Sequence, residues 1–115
     1  MGKDISVEKV IYAMLRRFAK AMDEDEQNPN FNDIRHEAFG VSIGKWTNIV
    51  RDMFKSGYIE GIDIIPDGNS DYDIIHIDRA KITLQGREYL KENSIWAKTY
   101  EAIKEVREWV QIIKP

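Results

Sequence analysis

A chain of 115 residues, 43% hydrophobic and 32% charged, suits one globular domain with a single modest core. It contains no cysteine, which excludes a disulfide framework, a thiolate metal site and a thiol nucleophile. A net charge of -3 does not mark a general nucleic-acid binder, so any footprint for DNA has to be made locally, by particular helices.

The charges are unevenly spread. Residues 1–22 carry five bases against two acids, and residues 23–37 carry six acids against one base. Residues 42–58 return to three bases and one acid, and residues 59–81 to six acids and two bases. No apolar run approaches the ~20 residues that span a bilayer, and the opening MGKDISVEKV has no signal-like run. A cytoplasmic location is expected.

The first helix is predicted over roughly 6–22, capped by Asp4 or Ser6. Val7, Ile11, Met14, Leu15, Phe18 and Met22 recur at helical spacing as one buried stripe, with Lys9, Arg16 and Lys20 about opposite. The acids of "DEDEQNPN", residues 23–30, oppose the helix dipole and should end the helix in a solvated loop. A short second helix follows Asn30. Asp33, three residues on, makes a variant of the capping box; Phe31, Ile34 and Ala38 face inward, and Gly40 stops the helix.

The third helix starts at Ser42. Trp46, Ile49, Val50, Met53 and Phe54 gather on one side; Asn48, Arg51 and Lys55 project from the other. Lys45 and Asp52 flank that outward arc on one edge and Thr47 on the other. Gly57 suits a left-handed C-cap. Ile59–Ile65 and Tyr72–Ile77 then read as the arms of a hairpin, with strong turn chemistry at Pro66–Ser70 and an acidic tip.

Thr83 can cap a fourth helix, with Leu84, Tyr89 and Leu90 toward the core. Gly86 inside it costs helix propensity and marks a close approach to another element. A last helix is predicted over 95–113, with Trp96, Tyr100, Ile103, Val106 and Val110 on one long stripe. That stripe either packs across the first helix or forms a homodimer seam. Three helices, a hairpin and two helices make an α+β winged helix, with a helix-turn-helix core and a β wing, in one domain over 1–115.

Two stretches, "FKSGYIEGI" and "ITLQGREYLKENSIWAKTYEAIKEVREWV" (residues 82–110), resemble the YjcQ family. The most specific part is Leu84, Gly86, Tyr89 and Leu90, then Asn93-Ser94 into the helix of Trp96, Tyr100 and Ile103. Met53 and Ile82 stand where winged-helix proteins commonly carry leucine. The resemblance implies a small bacterial or prophage winged-helix protein, in a family without a settled activity. A small phage repressor or an accessory phage protein would fit that origin.

A groove-reading helix would use Asn48 on adenine, Arg51 on guanine or a phosphate, Lys45 and Lys55 on phosphates, and Thr47 on a phosphate or a thymine methyl. Asp52 beside this patch and Asp67, Asp71 and Asp73 around the wing tip argue against a wing that enters a groove, so the wing is expected to stay off DNA. The alternative is a non-catalytic protein-interaction module on the same scaffold. His36 and His76, the only histidines, lack the i,i+4 pairing of a zinc helix. Asp67, Asn69 and Asp71 match the start of a calcium loop, but Tyr72 stands where that loop needs glycine. The chain reads as no enzyme, without metal or cofactor.

Overall fold

The computed structural model describes residues 5–69, 72–93 and 95. Helix α1 runs Val7–Asp23, and the Ser6 hydroxyl caps it by accepting the Lys9 N–H at 3.2 Å. Val10, Met14, Leu15 and Phe18 form its buried face, joined by Tyr12 and Ala13. Val7 and Met22, expected in the stripe, are exposed, because they occupy the two end turns.

Asp25 follows α1 in the left-handed region, at φ 51°. This conformation lets the Asp25 N–H reach Met22 O at 3.1 Å and the Glu26 N–H reach Ala21 O at 2.9 Å, a Schellman closure. The same closure recurs at Gly57 (φ 79°), as expected there, and at Gly40 (φ 69°), which stops its helix in this way.

The acidic loop is more than solvated chain. Arg17 donates to both Glu26 oxygens at 3.1 and 3.0 Å and to Asn30 O at 3.3 Å; its Nε lies 3.6 Å from Asp33. Its guanidinium carbon stands 5.1 Å from the centre of the Phe31 ring. Arg87 holds Asp23 at 2.8 Å from the far side.

The expected second helix divides. A 3₁₀ turn covers Asn32–Ile34, and α2 is a single turn, His36–Phe39. Arg35 between them is extended (φ -85°, ψ 173°), with its guanidinium 5.4 Å from the Trp46 ring. The capping box does not form. Asn30 Oδ1 accepts the Asn32 N–H at 2.9 Å, while Asp33 turns to Arg17.

Val41 and Ser42 lead into α3, Ile43–Lys55, capped by Ser42 Oγ on the Lys45 N–H at 3.1 Å. Trp46, Ile49, Val50 and Met53 are buried, while Phe54 is exposed near the C-terminal end. The Trp46 indole donates to Ile34 O at 2.9 Å, which pins α3 across the 3₁₀ turn. Burying a large apolar side chain contributes roughly 1.5–3 kcal/mol.

The hairpin is split into two small antiparallel sheets. β1 (Ile59–Glu60) pairs with β4 (Lys81–Ile82), and β2 (Asp63–Ile65) pairs with β3 (Ile74–His76). Ile59 faces Ile82 and Asp63 faces His76, so the return arm carries two extra residues between the sheets. Gly61, at φ 79°, makes the break possible: a Cβ there would stand 2.4 Å from Arg79 O. Ile75, Ile77, Ala80 and Ile82 turn the return arm into the core.

Helix α4, Leu84–Glu92, is capped by Thr83 on the Gly86 N–H at 3.0 Å. Gly86 does mark a close approach, since a Cβ there would stand 2.3 Å from Tyr58 O. Tyr89 and Leu90 pack against the core as expected. Leu84 does not: it opens the helix, points outward and is 85% exposed. The predicted helix over 95–113, with Trp96, Tyr100, Ile103, Val106 and Val110, lies outside the described residues apart from an exposed Ile95. The architecture is α+β, with a helix-turn-helix-like α2–α3 and a winged-helix-like topology.

Candidate nucleic-acid interface

The surface of α3 follows from its amphipathic sequence. The core takes Trp46, Ile49, Val50 and Met53, which leaves two polar ridges. One runs Gly44–Thr47–Arg51 and the other Asn48–Asp52–Lys55, each at the three- and four-residue spacing of neighbours along a helix.

The first ridge is covered. Thr47 is 2% exposed, so a Thr47 contact to phosphate or a thymine methyl has no route through this surface. Gly44 is buried under the wing, and a Cβ there would stand 2.4 Å from Cε1 of the Tyr72 ring. One turn beyond Thr47, Arg51 donates to the Asp73 carboxylate, also from the wing, and the two side chains are 28% and 34% exposed. Lys45 leans away from the outward arc, its ammonium donating to Ile5 O at 3.3 Å.

The second ridge is open. Asn48, Asp52 and Lys55 are all exposed. Of the five expected contact residues, the structure thus presents Asn48 and Lys55 together to solvent. It ties Arg51 and Lys45 to other parts of the chain and buries Thr47.

The wing carries its own pattern. Asp67 Oδ1 accepts the Asn69 N–H at 3.0 Å, so this carboxylate serves the turn rather than a calcium loop. Ile65 and Ile74 stand directly opposite each other on the outer face, both exposed. His76 is exposed, whereas His36 is half-buried with Nδ1 3.2 Å from Val41 O. Among the described residues no three His, Asp or Glu come together as a metal site, and no helix is long and apolar enough to cross a membrane.

The family model described as YjcQ protein matches residues 12–109, which takes in α2, α3 and the whole hairpin. The chain belongs to the YjcQ family. A protein of Bacillus subtilis (strain 168), named "Uncharacterized protein YjcQ", is 32% identical over 111 residues, covering 96% of this chain and 100% of that relative. No solved structure matches the chain.

Within this YjcQ-family chain, Tyr72, Asp73 and Gly44 are the site residues that sequence reasoning missed. Gly44 left a signal, because a glycine in the first turn of an otherwise regular helix costs about 1 kcal/mol relative to alanine. Such a residue usually stands where another group comes close.

Proposed function

We propose that the protein binds duplex DNA through α3, as a small prophage-type transcriptional regulator would. The observation that supports this most is the pairing of Asn48 with Lys55 on the open ridge of a helix set across a short turn from α2. An α-helix fits the major groove, where an asparagine can bond both N6 and N7 of adenine and a lysine can hold a phosphate. One short ridge reads few bases, so sequence-specific binding would need a second copy, with Trp96, Tyr100, Ile103, Val106 and Val110 as its expected seam.

The test is selection from fragmented genomic DNA at ~50 and ~200 mM salt, followed by sequencing. A recurring site is expected to survive the higher salt. Asn48→Ala should relax preference at one base pair. Lys55→Ala should weaken all sequences alike and reduce the salt slope by ~1. Absence of any recurring site, with both variants binding like the parent, would remove the reading.

A second reading is favoured by the exposed Ile65–Ile74 pair on the wing, which suits a protein surface better than a phosphate backbone. Here the protein is a non-catalytic interaction module, such as an accessory phage protein. It predicts a co-purifying partner that is lost when Ile65 and Ile74 are both replaced by threonine.

A further inference from the structure

Two contacts from neighbouring wing residues land on one ridge of α3. The Tyr72 ring lies on Gly44, and the Asp73 carboxylate lies on Arg51 two helical turns away. Thr47, between them on the ridge, is closed to solvent. The wing therefore sits on the helix rather than beside it.

The chemistry of the Arg51 contact matters. A carboxylate oxygen on a guanidinium N–H is the contact that a DNA phosphate, or the O6 and N7 of guanine, would make at the same arginine. Asp73 and a nucleic acid cannot both hold that donor edge. Gly44 lies in the first turn of α3, the end of a recognition helix that usually meets base edges, and the Tyr72 ring occupies it.

From this we infer that the wing is an intramolecular latch. Asp73 and Tyr72 occupy the Gly44–Thr47–Arg51 ridge in the free protein, and an incoming duplex displaces them, releasing Arg51 to the phosphate backbone. The device rests on the DNA reading above and adds regulation to the same surface. It also gives the acidic wing a role, since an acid there competes with phosphate for the helix.

The latch is suited to open. Both contacts with the α3 ridge come from wing side chains, and the ion pair is partly open to water on both sides. Partly exposed pairs of this kind are weak enough for a polyanion to displace. Ile75 keeps β3 in the core, so only the Tyr72 and Asp73 side chains have to leave α3, while β1–β4 and β2–β3 stay paired.

The test compares four versions of the 115-residue chain on one random-sequence duplex of about 20 base pairs across a salt series. Asp73→Asn removes the charge and keeps the shape. Gly44→Ala adds a Cβ that the Tyr72 ring cannot share space with, and leaves every charge in place. Asp67→Asn is the control, because it removes one wing acid whose carboxylate accepts the Asn69 N–H within the turn. The parent completes the set.

The latch predicts that D73N and G44A bind roughly 2–5-fold tighter than D67N. Their salt slopes should stay close to that of D67N, because Arg51 reaches a phosphate in every complex and the variants remove only the cost of displacing the latch. In the parent, NMR should show the Gly44 Hα losing its Tyr72 ring-current shift as duplex is added. Parent, D67N, D73N and G44A binding alike would overturn the latch and leave the DNA reading standing. No binding by any of the four would overturn both.

Discussion

Gly86 and Gly44 each sit in the first turn of a helix, and each marks a place where the hairpin region comes close. Their neighbours differ. Gly86 faces the backbone carbonyl of Tyr58, which itself accepts the Thr83 N–H at 3.0 Å. Gly44 faces the far end of the Tyr72 side chain. At the base of the hairpin, main chain meets main chain, with Thr83 Oγ1 also donating to Gly57 O. At the tip, side chains rest on a helix. A carbonyl held by the Thr83 N–H just before β1 has nowhere to go, whereas the far end of a tyrosine side chain can shift. The base is a joint and the tip is a rest.

The same contrast separates two arginines. Arg17 is 11% exposed and makes hydrogen bonds to Glu26 and Asn30, with Asp33 and the Phe31 ring close by. Arg51 is 28% exposed and is held by the one carboxylate of Asp73. The first is locked by several partners on a folded loop. Among the described residues, the second is held by Asp73 on the wing.

The largest effect should come from Gly86→Ala. The change improves helix propensity by about 1 kcal/mol, yet the overpacking against Tyr58 O should leave a net loss of about 2–3 kcal/mol in urea unfolding. A stability within error of the parent would show that the base yields as readily as the tip.

Arg17→Met should come next, with Tm lower by roughly 5 °C near neutral pH. The Arg17 hydrogen bond holds the Glu26 carboxyl below its ordinary value, so the ion pair stabilises the fold above the usual carboxylate range and is lost as pH falls through that lowered value. The gap between parent and variant should therefore narrow in acid. An equal gap at pH 7 and pH 3 would mean that Arg17 acts through packing on Phe31 alone.

Gly44→Ala should have the smallest effect on stability. Gain in helix propensity and loss of the Tyr72 contact offset each other to within about 1 kcal/mol. A loss as large as that of Gly86→Ala would make the wing a structural joint and contradict its role as a latch.

Much of this was legible in the residues because the deciding signals are local. Ser6, Ser42 and Thr83 cap the helices they precede, since a hydroxyl three residues ahead of an unpaired N–H needs no tertiary information. Gly40 and Gly57 end helices for a similar reason. Gly86 could be read as a close approach because glycine in a helix is costly without one. The candidate site was legible only in part. Spacing placed Asn48 and Lys55 on the outside of α3, but it could not show that Thr47 would be buried.

What the sequence determined by itself, among the described residues, was the order of elements, the Ser6, Ser42 and Thr83 caps and most of the core face of α1 and α3, all set by periods and by hydrogen bonds over three to five residues. Tertiary structure decided which polar residues stay available. Arg51 and Asp73 are 22 positions apart, and Arg87 and Asp23 are 64 apart. Any of several acids could have paired with either arginine by charge alone. For Arg51 the choice follows the wing, set by the two extra residues in the return arm and the left-handed Gly61; for Arg87 it follows the packing of α4 on α1. Charge acts at a distance and does not name its partner; backbone geometry brings one carboxylate within reach and leaves the others in water.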